Sequence, residues 1–277
     1  MSDQLIPIKR SVVPGFVAQT DVPQKKESIY PTQVIPLPTK GWFYPEEHPL
    51  SSGEIELKEM TAREEDILSN QELIKKGKML DKLLESVIIN RAVKVEEILS
   101  PDKDAIFIAI RRFAYDDDYR VIVTCPSCAK QNTVVIKLGE LSYKPFDFDK
   151  FQKGLNSFEL TLPSGTTIRY KFLTQTDELA IDAEIKSLLK ISKESSNELT
   201  TRFCHLITSV NGSEDKGQIR KFASDMRAKD SLAFRRHQRD NSPGVDLTFD
   251  FTCTECSHER RLDVPIGASF LWPDVES

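Results

Sequence analysis

Tyr119-Arg-Val-Ile-Val-Thr-Cys125-Pro-Ser-Cys128-Ala-Lys-Gln-Asn132-Thr-Val-Val-Ile-Lys-Leu138 and Val245-Asp-Leu-Thr-Phe-Asp-Phe-Thr-Cys253-Thr-Glu-Cys256-Ser-His258-Glu-Arg260-Arg-Leu-Asp-Val264 share one layout. Each is a strand-like run, a Cys-x-x-Cys step and a second strand-like run. Two thiolates at i and i+3 on a tight turn hold one edge of a tetrahedral Zn²⁺, and a second such turn completes a Cys₄ site. The expected ligands are Cys125, Cys128, Cys253 and Cys256, with zinc as a structural cofactor. About 124 residues lie between Cys128 and Cys253, against roughly 15–20 in a compact ribbon, so the metal would pin distant parts of the chain together. The segment between would be looped out of a split zinc ribbon. A redox role fits less well, because an active Cys-x-x-Cys usually opens a helix whose N-terminus lowers the thiol pKa, and here strands flank both steps. His258 could replace a cysteine, but two residues after Cys256 is too close for easy chelation.

The composition is that of a soluble globular chain: 277 residues, 39% hydrophobic and 29% charged. A net charge of −5 argues against a general nucleic-acid binder. No apolar run reaches the ~20 residues of a membrane span, and the first residues do not resemble a signal peptide. Four of five cysteines in Cys-x-x-Cys steps point to metal in a reducing, intracellular compartment. The fifth, Cys204, lies in Arg-Phe-Cys-His-Leu-Ile and reads as a buried structural thiol.

Outward from the knuckles, the chain divides into five parts. Residues 1–38 carry six prolines and no sustained apolar period, so they read as an extended or disordered arm: a loose tail, or an arm that drapes over a partner through residues such as Ile6, Phe16, Ile29 and Val34. Residues 39–118 are mainly helical. They begin with Trp42-Phe-Tyr44, three aromatics that cannot share one face of a regular element, and the alternating strand Gly53–Lys58. Thr61-Ala-Arg-Glu64 is a capping box opening a helix. Leu73 to Ile88 supplies a helical stripe over about 70–90, with Gly77 as a tolerated weak point, and Ile106 to Phe113 another over about 103–115. Residues 119–173 hold the first knuckle and a hairpin turning at Pro163-Ser-Gly165. Residues 174–242 form a helical insertion, with helices near 176–193, 197–210, 216–227 and 230–240. Residues 243–277 hold the second knuckle and a tail.

Several of these pieces resemble one family together: Lys40-Gly-Trp-Phe-Tyr-Pro45, Gly53-Glu-Ile-Glu-Leu57, Met60-Thr-Ala-Arg-Glu-Glu-Asp-Ile-Leu-Ser-Asn70 and Leu80-Asp-Lys-Leu-Leu84. Ser209-Val-Asn-Gly212, Pro243-Gly-Val-Asp246, the two Cys-x-x-Cys steps and Phe270-Leu-Trp-Pro273 add to it. The chain over roughly 34–275 is similar to the baseplate hub subunit and hub assembly-protein family of T-even-like contractile-tail bacteriophages. The Met60–Asn70 run is the most specific part. The resemblance implies a structural or assembly role in the tail baseplate hub. Other hub and tail proteins, or further copies of the chain, would be its partners. The expected locations are the cytoplasm of the infected bacterium and the virion tail baseplate. No catalytic residues come with it.

The residues themselves suggest no enzyme either. His48, His205, His237 and His258 are scattered, and nucleophile and phosphate-loop signatures are missing. Asp116-Asp-Asp118 reads as a polar turn rather than a hard-cation site. Charge is uneven. From Glu46 to Glu72 nine acidic residues face two basic ones, and from Lys216 to Arg239 eight basic residues face two acidic ones. That basic stretch could meet solvent, an acidic neighbouring subunit or phosphates. With only Phe222 and Phe234 beside it, base stacking has little support. The expected fold class is α+β: a helical N-terminal part and an inserted helical bundle around a mixed β-region, closed by a split Cys₄ zinc ribbon. The alternative function is a zinc-ribbon nucleic-acid-binding regulator using residues 216–239.

Overall fold

Ile35 and Leu37, two positions apart, both bury their side chains. Ile35 belongs to a hairpin of β1 (Thr32–Pro36) and β2 (Glu54–Lys58), paired Ile35↔Ile55, and Leu37 follows directly after β1. The computed structural model describes residues 30–191, 197–266 and 268–271. Residues 1–29 of the expected arm therefore lie outside the described residues, while Thr32–Pro36 are an extended strand paired with β2 and Leu37 and Pro38 are buried. Pro36 is tolerated because the bond from Leu37 N–H to Gly53 O (2.8 Å) sets a register in which its missing N–H falls on the free edge.

The loop from β1 to β2 turns through Lys40 (φ 50°) and Gly41 (φ 70°). A Cβ at Gly41 would lie 2.6 Å from Leu50 O, so only glycine fits. This turn sends all three following aromatics into the body. Trp42 donates Nε1–H to Phe151 O (3.0 Å). Phe43 packs among Phe146, Phe148, Phe151, Phe158 and Phe172. Tyr44 donates its hydroxyl to Asp102 Oδ2 (2.9 Å) and accepts from Leu99 N–H (3.0 Å).

Helices α1 (Ala62–Ser69), α2 (Gln71–Lys75), α3 (Met79–Val87) and α4 (Ser100–Ala114) follow. Glu64 reaches back to the Thr61 N–H (2.8 Å) and hydroxyl (2.7 Å), so the capping box forms. The single helix expected over 70–90 is two: Gly77 takes φ 67°, a left-handed turn that ends α2 and lets α3 start in a new direction. The third expected helix is α4, whose buried Ile106, Phe107 and Ile110 lie in the main core.

Among the described residues four small antiparallel sheets complete an α+β fold. β3 (Asp118–Thr124) pairs with β4 (Gln131–Lys137). β5 (Phe158–Thr161) and β6 (Thr167–Tyr170) form the expected hairpin around Pro163-Ser164-Gly165. After α5 (Gln175–Ile191) and α6 (Glu198–Leu206), β7 (Ile207–Val210) adds to β6. The sequence pattern continues the helix to 210. Instead Ile207-Thr-Ser-Val is rich in β-branched residues, and Ile207 and Ser209 bury toward the core. β7 thereby stitches the insertion to the β-region. Helices α7 (Lys216–Asp225) and α8 (Ala228–Asp240) lead to the hairpin of β8 (Thr248–Thr252) and β9 (Glu259–Asp263), and α9 (Ala268–Leu271) returns to α4.

Candidate metal centre

The two Cys-x-x-Cys steps fold alike. In the first, Cys125 N–H bonds Lys130 O (2.8 Å) and Ala129 N–H bonds Cys125 O (2.9 Å). In the second, Cys253 N–H bonds His258 O and Ser257 N–H bonds Cys253 O, both at 3.0 Å. Ala129 (φ 56°) and Ser257 (φ 55°) hold the same left-handed conformation, one residue after the second cysteine of each step. This turn aims both sulfurs of a step to one side.

Two contacts bring the steps together. At the base of the hairpins, Tyr143 pairs with Val245 in a short antiparallel bridge, flanked by Lys144 N–H to Gly244 O and Asp246 N–H to Ser142 O (2.8 Å each). Nearer the tips, Phe251 is buried with Cys125 and Cys253, and Val123, Val134, Phe249 and Leu262 pack around them. All four sulfurs consequently lie within 4.8 Å of one another. Cys125 Sγ is 3.7 Å from Cys256 Sγ and Cys128 Sγ is 3.6 Å from Cys253 Sγ. A disulfide needs ~2.05 Å, so these are free thiols. A tetrahedral ion with ~2.3 Å bonds to sulfur has edges of ~3.8 Å, which the observed spacing matches. All four sequence-predicted ligand residues are gathered in one group that could hold a metal ion. His258 contributes its backbone carbonyl to the knuckle and is not part of that group.

Charge within the group is unevenly carried. Burial pushes the Cys253 thiol up, but the backbone N–H groups of Cys256 and Glu255 outweigh it and hold it at about 6. At Cys128 the Lys130 N–H pulls down, while burial and the three neighbouring sulfurs push it up to about 12. Four thiols this close titrate as one unit, and a cation is what allows all of them to ionise.

Asn132 is the residue that sequence reading missed. It is buried on β4, and its Nδ2 donates to Lys130 O (3.1 Å) and to Cys253 Sγ (3.6 Å). Its Oδ1 accepts from Thr254 N–H and Thr254 Oγ1–H (2.9 Å each). One side chain thus bonds both knuckles. An amide at a strand start is ordinary in sequence, and only its alternation onto the buried face hinted at a role.

Other candidates are placed as follows. Asp117 pairs with Arg112 (2.6 Å), Asp118 with Lys137, and Asp116 caps the Asp118 N–H, so the acidic run is a polar turn. Cys204 is half-buried beside the core rather than fully enclosed, and burial pushes its thiol up. His48 and His205 pair with Glu97 (3.1 Å) and Glu184 (3.2 Å), and His237 stands edge-on to Tyr170. Among the described residues no helix is long and apolar enough to cross a membrane.

Fold and cluster together define an α+β protein in which two hairpins, far apart in sequence, share one Cys₄ group. Over residues 44–272 the chain matches the family model described as T4 bacteriophage base plate protein, and it belongs to that family. No significant match exists among curated proteins or solved structures. Membership makes it a tail-baseplate protein of the T4-like type, with other baseplate proteins as its partners and the virion tail baseplate as its place.

Proposed function

We propose that the chain is a hub-type baseplate subunit or hub-assembly protein of a contractile tail, working through protein contacts rather than catalysis. In this reading one structural Zn²⁺ is held by Cys125, Cys128, Cys253 and Cys256. The observation that carries the metal reading is the meeting of four free sulfurs at tetrahedral spacing from positions 125 and 131 residues apart in pairs. The protein's own residues do the positioning. The left-handed turns at Ala129 and Ser257 aim the sulfurs, Asn132 locks one knuckle to the other, and the Phe251 cluster keeps water from one side. When bound, zinc would hold the ends of the looped-out segment 174–242 together, and such binding energy is folding energy. The hub assignment rests on the resemblance of the Met60–Asn70 run and its companions. Elemental analysis of protein purified without chelator tests the metal: close to one zinc per chain supports it, and none in a folded protein rejects it. Presence in hub-assembly intermediates, followed by mass spectrometry, tests the hub.

The nucleic-acid regulator loses ground on one observation. Phe234 is fully buried and Phe222 half-buried, so the basic stretch offers no aromatic platform for bases.

A further inference from the structure

Helix α8 turns one side inward and the other to solvent. Phe234, Asp230 and Ser231 are buried, with Asp230 Oδ1 accepting the Ser164 N–H (3.0 Å). Lys229, Arg235, Arg236 and Arg239 are exposed, with Arg227 at its start, and Leu232 is 40% exposed among them. Burying Asp230 removes one of the two carboxylates of this stretch from the surface. Among the described residues Arg239 pairs only with its neighbour Asp240, and the α7 residue Arg220 with Glu184. Lys229, Arg227, Arg235 and Arg236 make no ion pair among the described residues. At the other end of the chain, Glu46 and Glu47 in the β1–β2 loop and Glu54 at the start of β2 are exposed and equally without an ion pair among the described residues. Next to them Val34 stands 53% exposed on the outer face of the same hairpin, two positions from the Pro36↔Glu54 pair. Each surface therefore has one exposed aliphatic side chain beside charges of one prevailing sign, with Asp240 the exception on α8 and Lys40 the exception beside Glu54, and the prevailing signs are opposite.

We propose that the cationic face of α8 docks on the Glu46, Glu47 and Glu54 surface of a second copy, with Leu232 and Val34 meeting at its centre. The proposal goes beyond the metal reading and is independent of it. Charge complementarity of this kind steers association and fixes register. Because the two surfaces differ, the contact is head-to-tail and closes into a ring if the rotation allows. The chain's own N-terminal segment does not suit the α8 face. Residues 1–29 carry Lys9, Arg10, Lys25 and Lys26 against Asp3, Asp21 and Glu27.

Charge exchange on the full chain decides it. Sedimentation of the wild type at ~0.05 M salt should show mass rising above the monomer with concentration, and reversal at ~0.5 M, where screening is short-ranged. Arg235→Glu with Arg236→Glu, and separately Glu46→Lys with Glu47→Lys and Glu54→Lys, should each weaken association by roughly tenfold or more. Mixing the two variants should restore it, since each then offers the face the other lacks. All five positions are exposed, and unchanged melting curves would confirm that both variants fold. A wild type that stays monomeric at low salt overturns the proposal. So does failure of the mixture to associate. Self-association untouched by Arg235→Glu and Arg236→Glu, together with lost retention of a short DNA duplex, would assign the face to nucleic acid instead.

Discussion

Asn132 makes one bond within its own knuckle and three to the other, and its replacement separates positioning from bulk packing. Asn132→Asp keeps the acceptor for Thr254 but removes the N–H donor to Cys253 and places a carboxylate beside thiolates. Outer partners of metal ligands are commonly worth ~10–100-fold in affinity, and a loss of that size is expected in chelator competition for Zn²⁺. The Co²⁺-loaded variant should also show shifted sulfur-to-metal absorption; an unchanged spectrum and affinity would reduce Asn132 to a filler of space. Two other buried carboxylates act on stability through pH. Burial would raise Glu64, but Lys58, Ser86 and Thr61 hold it down at about 2. Its contribution is present above its ordinary value and is lost as pH falls toward 2. Asp102 runs the other way. Burial raises it to about 6 despite donors from Thr39 and Tyr44, so its contribution is present below its ordinary value and lost as pH rises through about 6. Urea unfolding of Asp102→Asn beside wild type should therefore show the variant gaining on wild type between pH ~4 and ~6; parallel curves would contradict the assignment.

Elements here are ended and aimed by a few glycines whose costs differ. Gly41 and Gly77 both have positive φ, 70° and 67°. A Cβ on Gly77 meets nothing nearer than Lys186 Nζ at 3.9 Å, whereas one on Gly41 runs into backbone at Leu50 and Ser51. Gly77→Ala should cost about 1 kcal/mol from its conformation alone, and Gly41→Ala clearly more, because backbone must shift. Equal shifts in thermal melting would disprove the distinction. The capping box at Thr61, the α4 stripe and the hairpin at Pro163-Ser-Gly165 were legible in sequence because each is a local preference with a fixed period or turn chemistry. The division of α2 from α3 and the change from α6 to β7 were not. Gly77 is a local mark that a helix can either tolerate or end on, so it left the α2–α3 break open, while helix propensity carries smoothly across Leu206 and the strand that favours β7, β6, arrives from elsewhere in the chain.

At the scale of the whole molecule, the looped-out segment is held at two heights. The Tyr143↔Val245 bridge ties the base of the hairpins and the sulfur group ties the tips. Cys253→Ser leaves the first and opens the second, so the expected result is a lower melting temperature, with lost solubility, by an amount on the order of several kcal/mol. Chelator treatment of wild type should reproduce it. An unchanged melting temperature in both would mean that the cluster does not hold the fold together.

Two Cys-x-x-Cys steps between strand patterns were enough, by sequence alone, to name four residues that the fold brings within 4.8 Å, because knuckle chemistry is local and repeats its own signature. Strand-like alternation and helical period together likewise pointed to the α+β class. What only the tertiary structure decided was which ordinary residues join distant pieces. Asn132 bridges the knuckles, Asp102 receives Thr39 and Tyr44, and Thr32–Pro36 pairs as a strand with Glu54–Lys58. None of these has a local signature. A buried amide or carboxylate is tolerable only when donors and acceptors reach it from other parts of the chain, and those partners exist only once the chain has folded.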